Sequence, residues 1–284
     1  MRGAQEKIVK PLTATELREP LLELYRKHKA NGTLPTSARF LYYELETLGY
    51  ISKETAERTD GKKGRRSDQN MIDALTYLRE SGQIPWEDIV DETRELQDYT
   101  GTQLSIRDWT IRVLEHYELD PWKGRAPVIL TESRSLAGVL RPIARTYRVL
   151  IGSTNGQAAG FLHNDVAPYA NRHFLIFGDW DLSGGHIEEN TRRTLAQYGS
   201  PKAWERLAIT EAQVKKFKLS IIRKYDKRTK SNHDAVETEA LGQEVIMSIL
   251  RDRLEALLPE PLKAVQERER EIRDRFTKQL KKLR

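Results

Sequence analysis

The chain uses two kinds of apolar spacing, one after the other. In residues 15–29, TELREPLLELYRKHK, the positions Leu17, Leu21, Leu22, Leu24 and Tyr25 recur at helical intervals behind a threonine able to cap, which predicts a first helix. After the turn NGTLP, the stretch TSARFLYYELETLGYI repeats the pattern with Phe40, Leu41, Leu45 and Leu48; Thr36 or Ser37 stands as cap and Gly49 as stop. A third helix, SDQNMIDALTYLRESG, follows the basic loop DGKKGRRSD and runs into QIPWEDIVDET, a short strand or wing. Three short helices, a turn and a wing predict a winged helix-turn-helix domain over residues 1–100, with a plain helical bundle as the other arrangement of the same pattern.

Residues 102–118 read as a connecting helix that ends before Pro121, and WKGRAP as a boundary, so that 101–125 form a connector. Beyond it the spacing changes. VILT, RVLIG, HFLIFG and WERLAIT are short buried-strand patterns. Between them lie helical patterns in SLAGVLRPIARTY (interrupted or bent at Pro142), GQAAGFLHNDVAPYA and GHIEENTRRTLAQYG. This alternation predicts an α/β domain over residues 126–258, a mostly parallel sheet with right-handed crossovers. In residues 259–284, Leu262, Val265, Ile272, Phe276, Leu280 and Leu283 among dense mixed charge predict an amphipathic helix, packed on the body or on a second subunit.

Composition narrows the chemistry. With no cysteine among 284 residues, disulfides, thiolate catalysis and thiolate zinc sites are excluded, which leaves oxygen, imidazole and hydroxyl groups. The longest apolar runs are far too short to cross a bilayer, and MRGAQEKIVKPL lacks a signal-peptide core; the expectation is a cytoplasmic, nucleoid-associated protein with no membrane partner. The formal charge of +6 is segregated: 14 basic against 9 acidic side chains in residues 1–67, 6 against 13 in 68–125, 7 against 6 in 126–200, and 21 against 14 in 201–284.

Two basic stretches are candidates for binding a polyanion. One is the loop with Lys62, Lys63, Arg65 and Arg66, for which a solvated charge run is the plainer account. The other is KKFKLSIIRKYDKRTK, in which Lys215, Lys216, Lys218, Arg223, Lys224, Lys227, Arg228 and Lys230 face a single aspartate. Phosphate contacts on duplex DNA lower affinity with salt at a log–log slope of about −0.9 per contact, so a patch this dense predicts steep salt dependence.

The apolar run in FLIFGDWDLSGG ends in Asp179 and Asp181, which share a face if the chain stays extended, with Trp180 turned away. Glu132 directly follows VILT. Ligands of open α/β sheets sit beyond the carboxyl ends of the strands, where these three residues fall. Like charges about 4 Å apart repel by roughly 4 kcal/mol at an effective dielectric near 20, a cost that a divalent cation removes. All-oxygen donors suit Mg²⁺, which keeps several waters and takes a few carboxylates plus substrate phosphate. The plainer alternatives are that Asp179 caps the following helix and that Glu132 simply begins one.

These residues resemble something specific. A strand ending in glutamate (VILTE), a second strand leading to a glycine-containing turn (VLIGSTNGQ) and a hydrophobic run before DxD and small residues (FLIFGDWDLSGG) resemble the TOPRIM domain of topoisomerases, primases and several nucleases. The likeness extends to the topoisomerase VI A subunit and its meiotic double-strand-break relatives. DLSGGHI is similar to that family's DPxGxxI, STNGQ to its GQP-containing turn and AVETEAL to its EIEAL segment. RFLYYEL resembles the RxxYY motif of the family's winged-helix domain.

The resemblance covers most of the chain and implies a Mg²⁺ site at Glu132, Asp179 and Asp181. It also implies a tyrosine nucleophile at Tyr43 that becomes linked to a DNA 5′ phosphate, with Arg39 as a phosphate-contacting neighbour; otherwise Tyr42 and Tyr43 are core aromatics. Double-stranded DNA, a homodimer and an ATPase partner subunit follow as expected partners. Two departures stand out: DLSG lacks the family's proline after the second aspartate, and no ATPase or transducer module is evident. Three functions follow: tyrosine-dependent DNA cleavage, hydrolytic cleavage by water at the same metal, and non-catalytic DNA binding.

Overall fold

The computed structural model of the protein describes residues 12–51, 67–90, 100–102, 104–155, 159–226 and 229–282. Its first elements are α1 (Arg18–Ala30), the two-residue strand β1 (Thr36–Ser37), α2 (Ala38–Thr47), α3 (Ser67–Glu80) and β2 (Ile89–Val90). Leu21 and Tyr25 of α1, Leu41 and Leu45 of α2, and Met71 and Leu78 of α3 bury one another in a core of their own. Ser37 is the cap of α2, its hydroxyl accepting the Phe40 amide at 3.3 Å. Gly49, with φ 78°, ends that helix in the left-handed region open to a residue without Cβ. The segment predicted as a short strand or wing supplies β2, which pairs with β1 in parallel, Thr36 opposite Ile89. The rest of that segment, residues 91–99, is outside the described residues, as is the basic loop of residues 52–66.

The connecting helix, α4 (Ile106–Glu115), is shorter at both ends than its spacing predicts; Ser105 sets its start by accepting the Asp108 amide at 3.1 Å. The WKGRAP stretch that reads as a boundary contributes to the main core: Trp122 is buried there and donates its indole N–H to the Tyr147 carbonyl at 2.6 Å.

The main sheet consists of β3 (Val128–Thr131), β4 (Leu150–Ser153), β5 (His173–Phe177) and β6 (Ala203–Ala208), all parallel, in the order β4-β3-β5-β6. Its crossovers are α5 (Arg134–Tyr147), a run of helical turns opening with α6 (Ala159–Phe161), and α7 (Leu182–Leu195). The α5 helix continues across Pro142, where the proline predicted an interruption or a bend. After β6 come α8 (Glu211–Lys216), the antiparallel hairpin β7 (Ile222–Asp226) and β8 (Ser231–Ala235), α9 (Gln243–Leu257) and α10 (Leu262–Lys282).

The molecule is thus mixed α/β. Ile129, Leu175 and Phe177 pack on one side of the sheet with Leu140 of α5 and Leu250 of α9, while Val128, Leu130, Phe174 and Ile176 pack on the other with Leu162 and with Leu195 of α7. Burial on both faces is why these strands read as continuous apolar runs. Phe40 of α2 enters the sheet's core, and the buried Gln243 donates to the carbonyls of Thr33 and Pro35 and accepts the Thr36 hydroxyl at 2.6 Å. The three-helix unit therefore docks on the sheet through the start of α2. Leu262, Val265 and Glu269 seat the first half of α10 on the body.

Candidate carboxylate site at the sheet switch point

Glu132 follows β3 and Asp179 follows β5, adjacent strands from which the chain departs in opposite directions, toward β4 and toward β6. The carboxyl ends of these two strands form the switch point, where a doubly wound sheet opens a crevice. Glu132 donates its amide to the Phe177 carbonyl at 2.9 Å, and its Oε2 accepts the Asp179 amide at 3.0 Å, so the Glu132 carboxylate helps place the backbone of Asp179. Trp180 pairs through its backbone with Val236, and that bridge brings Glu237, Thr238 and Glu239 to the same crevice. Asp179 Oδ1 accepts the amide and the hydroxyl of Thr238, at 2.9 and 3.0 Å. It is Asp181, not Asp179, that caps α7, its Oδ1 accepting the Gly184 amide at 2.7 Å.

The free oxygens of the two aspartates converge on one cation. Lys224 Nζ lies 3.1 Å from Asp181 Oδ2, 3.5 Å from Glu237 Oε1 and 3.8 Å from Asp179 Oδ2. The alternation along β7 explains its position: Ile222, Lys224 and Asp226 turn inward while Arg223 and Tyr225 face solvent. A second cation comes from the other end of the chain. Arg39 of α2 reaches Glu237 at 3.2 Å and Glu239 at 3.1 Å. Glu239, whose side chain is 1% exposed, also accepts the Ser133 hydroxyl at 3.0 Å, and its Oε2 has no hydrogen-bond partner among the described residues.

Burial and like charge leave their mark on this cluster. Burial, then the neighbouring Asp179, raises the Glu132 carboxyl above its ordinary pKa, against the pull of the Asp179 amide and Lys224. Burial raises Glu239 as well, against Arg39. Burial opposes the charge on Arg39, but Glu239, Glu237 and Asp179 outweigh it and raise its pKa. Arg206 of β6 fixes the loop from behind, donating to the carbonyls of Gly178, Asp179 and Ile209 and pairing with Glu188. Beside the aspartates a cavity of about 350 Å³ opens, lined by Asp179, Asp181, Gly185, Arg206, His233 and Asp234 among others.

Of the residues singled out in the sequence, Glu132, Asp179, Asp181 and Arg39 come together, and Lys224 joins them from the basic stretch. Tyr43, one turn after Arg39 on α2, is 9% exposed and packs edge-on against Tyr42 with ring centroids 5.6 Å apart. Lys215 pairs with Glu211, Arg223 with Asp234, and Lys216 lies over the Phe217 ring; Lys218 and Lys230 are exposed. Lys62, Lys63, Arg65, Arg66, Lys227 and Arg228 lie outside the described residues. Glu237, Glu239, Thr238, Ser133 and Arg206 were not singled out. Only the first three lay in a segment the sequence marked, VETEAL, and nothing local marks the other two.

The donors are carboxylate oxygens, which suit a hard divalent cation, and they already converge on one positive charge. Among the described residues, though, no group of three or more acidic or histidine side chains is arranged to hold a metal ion. The geometry gives the reason: Asp179 Oδ1 and Asp181 Oδ1 are taken by Thr238 and Gly184, and their remaining oxygens are drawn onto Lys224. Among the described residues no helix is long and apolar enough to cross a membrane. No protein-family model matches the chain, and neither a curated protein nor a solved structure matches it.

Proposed function

We propose that the protein is a Mg²⁺-dependent, DNA-cleaving protein of the topoisomerase VI A type, with a winged-helix unit in α1–α3 and a TOPRIM domain around the main sheet. The observation that carries this reading is the meeting of Glu132, Asp179 and Asp181 at the switch point of a parallel sheet, where the two aspartates close on a single cation. In this reading Glu132, Asp179 and Asp181 hold the metal, which when bound supplies positive charge to the phosphodiester and its departing oxygen.

The protein's own groups do the rest. Thr238 and Arg206 fix Asp179 from both sides, by its carboxylate and by its carbonyl. Arg39 offers a guanidinium for a DNA phosphate beside the carboxylates. Tyr43, on the same helix, supplies the phenol: its oxygen bonds to phosphorus as the bond to the deoxyribose 3′ oxygen breaks, the phenolic proton passes to solvent, and the departing 3′ oxygen takes a proton from solvent to become a hydroxyl. Lys216, Lys218 and Lys230 add positive surface for the duplex backbone. A homodimer belongs to this reading and is supported by Ile106, Trp109 and Val113, spaced along one side of α4 and 87, 49 and 50% exposed. An ATPase subunit is the further partner that belongs to this reading.

A second reading keeps the carboxylates and makes water the nucleophile. The burial of Tyr43 against Tyr42 favours it, because a phenol with so little exposed surface must first emerge to meet a phosphate. Supercoiled DNA incubated with Mg²⁺ or EDTA tests both. Cleavage lost in EDTA and in Glu132→Gln supports the metal site; cleavage undiminished in EDTA overturns it. A peptide left on DNA 5′ ends after proteolysis, absent in Tyr43→Phe, assigns the tyrosine route, and unblocked ends assign water.

A further inference from the structure

Lys224 occupies the place a metal needs. Its ammonium takes the oxygens of Asp179 and Asp181 that Thr238 and Gly184 leave open, at 3.8 and 3.1 Å, together with Glu237 at 3.5 Å. A divalent cation using those oxygens displaces the ammonium, since two positive charges cannot share one pocket a few ångströms wide. The lysine is well suited to leave. Its side chain is 39% exposed, on a flexible four-carbon stem whose ammonium binds a phosphate as readily as a carboxylate.

The lysine also stands where a polyanion would meet it. The inward face of β7 points Lys224 at the carboxylates, while the same hairpin turns Arg223 outward and carries Lys230 at its exposed end. His233, directly across the hairpin from Lys224, lines the cavity beside Asp179 and Asp181. A DNA backbone following these groups into the cavity brings phosphate within reach of the ammonium.

We infer that Lys224 is a displaceable counter-ion, which closes the carboxylate site until a DNA phosphate draws it away, so that duplex binding and divalent-cation binding promote each other. This rests on the reading of the site as a metal centre acting on DNA. Linkage makes the coupling reciprocal: the duplex raises metal affinity by the factor by which metal raises duplex affinity. It also gives Lys224 a role that loss of a phosphate contact alone does not, since removing it strengthens metal binding.

Calorimetric titration of the full chain with Mn²⁺, with and without a short duplex and corrected for Mn²⁺ bound by the duplex alone, is the test. Wild type is expected to bind Mn²⁺ at least tenfold more tightly with the duplex. Lys224→Met is expected to bind it tightly in both conditions, and Lys224→Arg to behave as wild type. Thermal melts guard against misfolding: Lys224→Met should melt below wild type without metal, where its carboxylates repel, and recover with Mn²⁺. Equal Mn²⁺ affinity in wild type and Lys224→Met, or a wild-type affinity indifferent to the duplex, overturns the counter-ion role and leaves the metal site standing. Absence of Mn²⁺ binding in every arm overturns the metal site and this inference with it.

Discussion

Glu132 is a carboxyl held above its ordinary pKa, chiefly by burial and then by Asp179. Folding therefore favours its protonated form. The associated stability is complete below the unfolded carboxyl pKa and is lost as pH rises through the raised value. Replacing it with glutamine keeps an oxygen for the Asp179 amide and removes the charge. Glu132→Gln should accordingly melt a few degrees above wild type at pH 8 in the absence of divalent ions, about 1 kcal/mol being worth roughly 2–4 °C in a chain of this size. The difference should close toward pH 4. A variant that melts at or below wild type at pH 8 would mean that Lys224 and the Asp179 amide more than offset the burial. Glu132 and the two aspartates were legible in the sequence because each ends an apolar run. Lys224 read as one of eight basic residues in its stretch, and its inward side depends on how the hairpin seats against the sheet.

At the scale of elements, α7 begins where the site ends. Asp181 caps the helix, and Gly184 in its first turn lies so close to the Asp179 loop that an added Cβ would stand 2.4 Å from the Asp179 carbonyl oxygen. Backbone on both sides leaves little room to yield. Gly184→Ala should destabilise the protein by about 1–3 kcal/mol, the usual cost of overpacking. Gly185→Ala is the internal control: a Cβ there meets nothing within 4 Å, so the change should be neutral or gain up to about 1 kcal/mol of helix propensity. Denaturant melts of the two variants, with equal losses, would sink this account of the close approach. Leu182, which stands where the resemblance expects a proline, is the first residue of α7, and Asp181 before it is extended at φ −152° with its side chain as cap.

For the whole molecule, the contact that matters most joins residues nearly two hundred apart. Arg39 of α2 pairs with Glu237 and Glu239 at the sheet's crevice and so ties the three-helix unit to the carboxylates. Without it, Glu239 remains buried and charged at high pH, but can be neutralised by a proton at low pH because burial already raises its pKa. Arg39→Met should cost about 3 kcal/mol at pH 8, as expected when one partner of a buried pair is removed, and clearly less at pH 5. Urea denaturation at the two pH values measures this, and an equal loss at both would show that Arg39 acts by packing alone.

Local pattern by itself determined the helices of the first 80 residues, the four strands of the main sheet, a cap at Thr36 or Ser37 with the stop at Gly49, and the carboxylates at the strand ends. Such signals arise from near-neighbour sterics, hydrogen bonding and burial period, which a few consecutive residues suffice to express. Only the tertiary structure decided that β3 and β5 are neighbours with their connections departing to opposite sides, that α5 passes Pro142 unbroken, and that Lys224 and Arg39 close on the carboxylates. Those outcomes depend on which surfaces meet across 43 to 200 residues of sequence, and no local periodicity records that choice.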